Sequence, residues 1–273
     1  MPPGDGGRPR TPSSGSVAFD PVAADYDRTR ALPPRTLGSL VQLLAGELRG
    51  RGRILEIGVG TGRIAIPIAG AGVDLIGVDL SPAMLARLRQ NAGGRAPFPV
   101  AVADATRLPF APDTFGGAFG VHVLHLIPDW RAALAELTRV ARPGAVLLFD
   151  LGGASSRIGR EIRERLEALL GPDAMRNAGL QWGRARLVDA AMSELGATRR
   201  LLAPVSYVER TPLAAYLRMI AEGRYSWTWR VPEDARRRAV EAIVPWAEDR
   251  FGDLEAPRPA RHRIRFRAYD LPG

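Results

Sequence analysis

A chain of 273 residues, 46% apolar, 25% charged and 7% aromatic, has the composition of a soluble globular protein with room for one large domain or a core with an accessory part. It contains no cysteine, which excludes disulfide and thiolate chemistry and points to the cytoplasm, and no apolar run approaching the ~18 residues of a membrane span. The formal charge of +9 is carried by arginine without a single lysine, and the arginines are mixed with Glu and Asp in "RIGREIRERLEALL" and "EDARRRAVEAI", a pattern of solvated helix faces rather than of a nucleic-acid surface.

Residues 1–16 are Gly, Pro, Ser and Arg with little to bury, so a disordered tail is expected there, and no apolar stretch marks a signal peptide. A helical segment is expected from Phe19 through "YDRTR", and a second at about 36–49, after Pro33-Pro34, with Leu37, Leu40, Leu43 and Leu44 on one face. Strand-like runs follow at 53–58, 73–79, 98–104, 115–123 and 145–151. Between them come helices at about 62–70, after Ser81 as N-cap with Pro82 in the first helical position, and from Asp129 to just before "RPG". Strands alternating with helices give βαβ crossovers and an α/β, doubly wound, mostly parallel sheet, and the strands' near-continuous hydrophobicity fits burial on both faces. Beyond Leu151 the rhythm changes to helices at about 157–170, 184–195, 212–222 and 233–250, a strand at 199–208, and an alternating run at 262–271 that suits an edge or antiparallel strand.

The stretch "ILEIGVGTGR", residues 54–63, sets Gly58, Gly60 and Gly62 at alternating positions behind the first strand. In open α/β sheets, ligands sit beyond the carboxyl ends of the strands, and glycines there let a ligand approach the backbone. A triphosphate loop would need Gly-Lys-Ser/Thr, but Arg63 and Ile64 follow. A dinucleotide fingerprint needs a small residue at the place of Arg63, so the spacing is GxGxG and not GxGxxG. Three carboxylates accompany the turn: Glu56 inside the first strand, Asp79 at the end of the second, and Asp104 at the end of the third. Asp79 suits the two hydroxyls of a ribose, and Asp104 an exocyclic amine such as that of adenine. Acceptors of this kind without a phosphate loop suit a nucleoside.

In this order, "LEIGVGTGR", "GVDLSPAML", "ADATRLPFAPDTF", "HVLHLIPDW" and "ELTRVARPG" make residues 54–151 resemble the class I S-adenosylmethionine-dependent methyltransferases, in particular the small bacterial enzymes with a single-domain core. "FDPVAADYDRTR" is similar to that group's N-terminal helix. The resemblance implies a Rossmann-like, mostly parallel seven-stranded sheet with an antiparallel last strand. The core would run over 17–208 with 261–273, and 209–260 would be a helical insertion and candidate substrate cap. It implies S-adenosyl-L-methionine as cofactor, with S-adenosyl-L-homocysteine as product. Gly58, Gly60 and Gly62 would border the methionine portion, and Glu56 would act through the turn and the amino group. Asp79 would take the ribose hydroxyls, Leu80 and Met84 would lie beside the adenine, and Asp104 and Ala105 would meet its N6 and ring edge. Tyr26 and Arg30 would close over the carboxylate end, and Val121 and His122 would face the reacting centre. Two positions depart from the family pattern: Gly116 replaces an Asp before the fourth strand, which leaves that strand's start open, and Ala145 replaces the second glycine of Pro-Gly-Gly.

Methyl transfer from a sulfonium is an in-line displacement with a neutral leaving group, so the protein supplies alignment and a dry pocket, and a base only where the acceptor must lose a proton. His122 and His125 are the candidates for that base; no metal site is expected. For His125 the plainer reading is a packed residue at a strand–helix junction, while His262, among arginines, reads as surface. The aromatics Trp182, Tyr216, Tyr225, Trp227 and Trp229 read singly as anchors of the accessory helices, but "YSWTW" together suggests an exposed cluster with a partner. The resulting expectation is a small or medium-sized organic acceptor under a helical cap, with the acceptor atom (O, N or C) and the oligomeric state open and no membrane partner. Two rivals remain at this level. An RNA or protein methyltransferase would use the positive charge, although the Asp/Asn-Pro-Pro-aromatic motif of base-amine methylation is missing. A non-catalytic S-adenosylmethionine-binding protein would share every cofactor contact.

Overall fold

The structure is a computed structural model and describes residues 27, 31–151, 156–171, 173–174, 176–181 and 183–273. The expected tail, Tyr26, Arg30 and Trp182 lie outside the described residues, as does the segment from Phe19 through "YDRTR" apart from Asp27.

Helix α1 (Pro34–Leu48) starts on the Pro-Pro step and buries Leu40, Val41, Leu44, Ala45 and Leu48, while Leu37 and Leu43 stay half-buried at the edge of that face. There follow β1 (Ile54–Ile57), α2 (Ala65–Gly70), β2 (Leu75–Asp79), α3 (Pro82–Asn91), β3 (Val100–Val102), β4 (Phe115–Val121), α4 (Trp130–Val140) and β5 (Ala141–Asp150). The expected caps form: the Ser81 hydroxyl accepts from the Met84 amide, and the Asp129 carboxylate accepts from the Ala132 amide. After β5 come α5 (Arg157–Leu170), α6 (Ala185–Glu194), β6 (Thr198–Leu201), β7 (Val205–Pro212), α7 (Leu213–Ala221), α8 (Glu233–Phe251), β8 (Pro257–Ile264) and β9 (Phe266–Asp270).

Seven strands form one sheet in the order β3-β2-β1-β4-β5-β9-β6. β1 to β5 are mutually parallel, and β9 runs antiparallel to both β5 and β6. Alternate residues enter two cores. Leu55, Ile57, Ala118, Leu147, Phe149 and Tyr269 pack with α4 and α6, whereas Ile54, Phe119, Val146, Leu148, Phe266 and Ala268 pack with α1, α2 and α3. Full burial of each large apolar side chain contributes about 1.5–3 kcal/mol, so the sheet is fixed from both sides. The strand order reverses between β1 and β4, which opens a crevice at their carboxyl ends.

Two expected strands divide. The 199–208 run becomes β6 and β7, separated at Ala203-Pro204, and the 262–271 run becomes β8 and β9, separated at Arg265. A proline has no amide for the ladder, so the pairing with β9 ends there. β7 and β8 then pair with each other as a separate antiparallel ribbon. Because Phe266 of β9 pairs with Asp150 at the end of β5, this ribbon leaves the sheet at the edge where the parallel strands end. It carries α7 and α8, whose Leu213, Leu217, Ile220, Val240 and Ile243 form a third core with Ile162 and Leu166 of α5.

Gly116 now has a physical account. A Cβ there would lie 1.5 Å from the Arg51 carbonyl oxygen, which accepts from Arg142 Nη2 at 2.6 Å. β4 nevertheless starts at Phe115, and the irregularity is taken up as a register shift against β5 between Phe115 and Gly117. Ala145 is buried beside it, with its carbonyl accepting from the Leu271 amide at 2.9 Å.

Candidate active site

The turn after β1 is held open by its glycines: Gly58, Gly60 and Gly62 have φ of 65°, 58° and 78°, a region that costs other L-residues about 1–2 kcal/mol each. Asp79 braces the turn. One carboxylate oxygen accepts from the Gly60 amide at 2.8 Å and the other from the Ser81 amide at 2.9 Å. The site thus contains a carboxylate at the end of β2 whose orientation is set by backbone donors on both sides. Leu80 is half-buried beside it, and the buried Met84 brings its methyl to 3.4 Å from where a Cβ on Gly60 would stand.

Glu56 is 2% exposed, and its Oε2 has no hydrogen-bond partner among the described residues. Burial pushes its carboxyl well above the usual range; Arg63 opposes the shift and Asp79 adds to it. An unpaired buried carboxylate oxygen beside a glycine turn is a site for a cation with N–H donors, such as the ammonium of an amino acid.

Asp104 sits in the loop after β3, where its Oδ1 accepts from the Thr106 amide at 2.9 Å and hydroxyl at 2.8 Å. Ala105 is half-buried against the α4-side core. This loop is clamped from α4. Glu136 accepts from the Leu108 amide at 2.8 Å, and Arg139 donates to the carbonyls of Phe110 at 2.9 Å and Leu108 at 3.2 Å. The Arg139 bond, ahead of the Leu108 amide, holds the Glu136 carboxyl below its usual range against a smaller opposing desolvation.

At the end of β4, Val121 is half-buried against the α1-side core, and His122 takes a positive φ of 51°. His122 Nε2 lies 3.1 Å from Asp150 Oδ2; the imidazole is 43% exposed and the carboxylate side chain 2%. His125 belongs to the one-turn 3₁₀ helix Leu124–Leu126, whose Leu124 and His125 carbonyls accept from the Leu180 and Gly179 amides. His122, His125, Asp150 and Gln181 line one small cleft with Leu124, Leu151 and Leu180.

The structure therefore brings Glu56, the three glycines, Asp79, Leu80 and Met84 around one turn, sets Asp104 and Ala105 on the neighbouring loop, and gathers both histidines in one cleft. Sequence reasoning missed three groups. Asp150 read as part of a strand, and only the pairing of Val121 with Asp150 reveals its place beside His122. Asp27 accepts from the Thr61 hydroxyl, from Arg87 Nε at 3.2 Å and from Asn91 Nδ2 at 2.8 Å, which ties residue 27 to the glycine turn and α3. Gln181 enters through a loop whose docking on residues 124–126 has no sequence signature. The aromatic cluster is a correction: Trp227 is buried and stacks on Tyr225 with ring centroids 5.6 Å apart, and Trp229 Nε1 donates to the Gly223 carbonyl at 2.6 Å. "YSWTW" is the inner packing of the helical unit rather than an exposed patch.

The sheet order and the glycine turn at its switch point define a nucleoside-binding α/β protein. Residues 55–149 match the family described as "Methyltransferase domain", and this part of the chain is a class I S-adenosylmethionine-dependent methyltransferase domain. The chain is 32% identical over 143 residues to a demethylmenaquinone methyltransferase of Renibacterium salmoninarum, covering 51% of this chain and 59% of that one. It is 33% identical over 138 residues to a malonyl-[acyl-carrier protein] O-methyltransferase of Geobacter sulfurreducens, covering 50% of this chain and 52% of that one. The chain thus spans between about half and three-fifths of the length of these curated relatives. Its fold is similar to that of the YcgJ protein of Bacillus subtilis, with TM-score 0.56 at 19% identity, covering 88% of this chain and 99% of that one. No helix among the described residues is long and apolar enough to cross a membrane.

Proposed function

We propose that the chain transfers a methyl group from S-adenosylmethionine to a small or medium-sized organic acceptor seated at the carboxyl ends of β4 and β5. The observation that carries this reading is Glu56 Oε2, a buried carboxylate oxygen beneath the GxGxG turn that has no hydrogen-bond partner among the described residues. Glu56 and the turn would hold the amino-acid end of the cofactor, Asp79 the ribose hydroxyls, Leu80 and Met84 the adenine faces, and Asp104 and Ala105 its amino edge. When bound, the cofactor supplies an electrophilic methyl on a sulfonium that leaves as a neutral thioether. The protein's own work is then alignment, exclusion of water and, where the acceptor carries a proton, its removal. The ribbon and α7–α8 serve as the acceptor's cap, because β7 and β8 leave the sheet at this edge.

Relatives named for demethylmenaquinone and for malonyl-[acyl-carrier protein] support methylation of small molecules without selecting one acceptor. A nucleic-acid substrate is disfavoured because arginines spread over the surface are paired with carboxylates, among them Arg157, Arg199, Arg218, Arg237 and Arg238. The cytoplasm, where the cofactor is made, is the proposed location. Calorimetry with S-adenosylhomocysteine tests the site: micromolar or tighter binding supports the reading, and no heat at millimolar ligand overturns it.

A further inference from the structure

The helical unit holds a cavity that shares no residue with the glycine turn or with the histidine cleft. It has a volume of about 570 Å³ and lies between α7, α8 and the loop that follows α8. Ligand cavities commonly fall between about 300 and 1,000 Å³, so this one is large enough for a small organic molecule. Its α7 wall is Ala214, Leu217 and Ala221, which share one helix face. Its α8 wall is Val240, Val244 and Glu248, a single stripe of that helix about 12 Å long at 1.5 Å per residue. The cavity is therefore an elongated slot, and the short side chains of Ala214 and Ala221 keep the two helices from closing it.

The end of the slot is built rigidly. The Ala214 amide donates to the Leu254 carbonyl at 3.0 Å, and the Gly252 amide to the Glu248 carbonyl at 2.7 Å. Arg258 Nη2 reaches the back of the loop and donates to the carbonyls of Phe251 and Asp253. The Glu255 amide donates to Asp253 Oδ1 at 2.9 Å, and Arg218 Nη1 donates to Glu255 Oε1 at 2.9 Å, which joins α7 to the loop. A slot held in this way need not be ordered when a ligand enters, so little affinity is lost to rearrangement.

Charge selects the occupant. Three carboxylates line the slot, those of Glu248, Asp253 and Glu255, against the one guanidinium of Arg218. Arg218 is engaged by Glu255, and among the described residues neither Glu248 nor Asp253 has a cationic partner. The lining thus carries a net charge of −2 (three carboxylates less one guanidinium) in a chain whose formal charge is +9. Apolar walls ending in uncompensated carboxylates match a molecule with an aliphatic body and a cationic head.

We propose that this slot is a second binding site, for an aliphatic amine whose ammonium meets Glu248 and Asp253 and whose chain lies along Leu217, Val240 and Val244. The site is independent of the reaction assigned to the sheet edge. Its occupant bridges α7, α8 and the loop, and so stiffens the unit that carries the ribbon.

Octylamine is titrated into the full chain at pH 7, with octanoate and propylamine as controls of head charge and chain length. The methyl groups of Leu217, Val240, Val244 and Leu254 report the place of binding by NMR. Saturable shifts at these methyls with a Kd of about 1 mM or tighter are expected. Octanoate should bind at least about tenfold more weakly because its head is repelled, and propylamine likewise because it buries five fewer methylenes. Octanoate binding as tightly as octylamine, shifts confined to other methyls, or no saturation overturns the proposal. These titrations need no variant. In a second arm, Glu248→Gln with Asp253→Asn is expected to weaken octylamine about tenfold. The charge-matched pair Glu164→Gln with Glu194→Gln, both exposed and outside the slot, should leave it unchanged. Equal losses in the two pairs would trace binding to overall charge and remove the site. Ala221→Leu, which narrows the slot without touching a carboxylate, should abolish the shifts, and full-strength binding by that variant would place octylamine elsewhere.

Discussion

The carboxyl edge of the sheet and the helical unit above it differ in what their bonds hold in place. At the edge, side chains clamp backbone: Asp79 takes the Gly60 and Ser81 amides, Asp104 the Thr106 amide, and Glu136 with Arg139 the loop at 108–110. In the helical unit, Trp229 Nε1 and Arg236 also donate to backbone carbonyls, but those bonds close the unit on itself around an apolar core, with Trp227 stacked on Tyr225 and the Arg163 guanidinium 5.2 Å from the Trp227 ring centroid. The first arrangement fixes atoms that must meet a ligand of one shape. The second fixes only a surface, and tolerates a change of lining as long as its own core stays filled. A chain that keeps its cofactor and changes its acceptor would be built this way.

The sharpest way to break the comparison is to hollow out the helical unit. Trp227→Ala is expected to cost about 3–5 kcal/mol, the usual range for emptying a buried aromatic site. If the two regions are energetically separate, hydrogen exchange accelerates over 213–251 while the sheet stays protected and S-adenosylhomocysteine binds near wild-type strength. Uniform deprotection of sheet and cap would show one cooperative unit instead. The next effect belongs to the edge. Asp79→Ala removes two charge-assisted bonds that brace the turn as well as the carboxylate proposed to hold the ribose, so affinity should fall by at least about a hundredfold, equivalent to about 3 kcal/mol. Full-strength binding by that variant would sink the ribose assignment.

This contrast also explains what could be read from the chain before its structure. The sheet, the capped helices at Ser81 and Asp129, and the glycine turn come from local rules, since each needs only a short window of residues to specify it. The ribbon was hidden inside two runs that each looked like a single strand, because where β6 ends depends on β9, some 65 residues away in sequence. Asp150 was invisible for the same reason: its place beside His122 depends on strand register rather than on spacing. The misread cluster "YSWTW" shows the limit from the other side. Aromatic density in a loop signals burial against something, and here the partner is Ile162 and Leu166 of α5, far upstream.

Glu56→Gln sharpens the edge's side of the comparison. Burial holds this carboxyl above its ordinary pKa, so the native state keeps a proton the unfolded chain gives up near pH ~4.3. Its contribution to stability is therefore complete below that pH and declines as pH rises through the native value. Glu56→Gln should lose this declining component of unfolding free energy. It should also bind S-adenosylhomocysteine about tenfold more weakly near neutral pH, with less increase of affinity as pH rises. Identical pH profiles for the two chains would remove Glu56 from the ammonium site.

The smallest expected effect has the opposite sign and comes from the clamp on the Asp104 loop. The Arg139 guanidinium holds the Glu136 carboxyl below its ordinary pKa, so this pair stabilises the fold above the unfolded pKa near ~4.3 and loses that contribution as pH falls through the native value. Arg139→Leu keeps much of the side chain's apolar volume but removes the donors to Phe110 and Leu108 as well as the bond to Glu136. Each such bond has a net worth of about 0.5–1.5 kcal/mol, and part is returned by water at this half-exposed position. A loss of about 1 kcal/mol at pH 7 is expected, shrinking in acid, with cofactor affinity reduced about threefold through a looser Asp104. Urea unfolding at pH 7 and pH 4, with calorimetry beside it, measures both parts. Equal destabilisation at the two pH values would mean that the clamp acts through packing and not through the Glu136 charge. The edge would then owe its rigidity to the same side-chain filling as the cap.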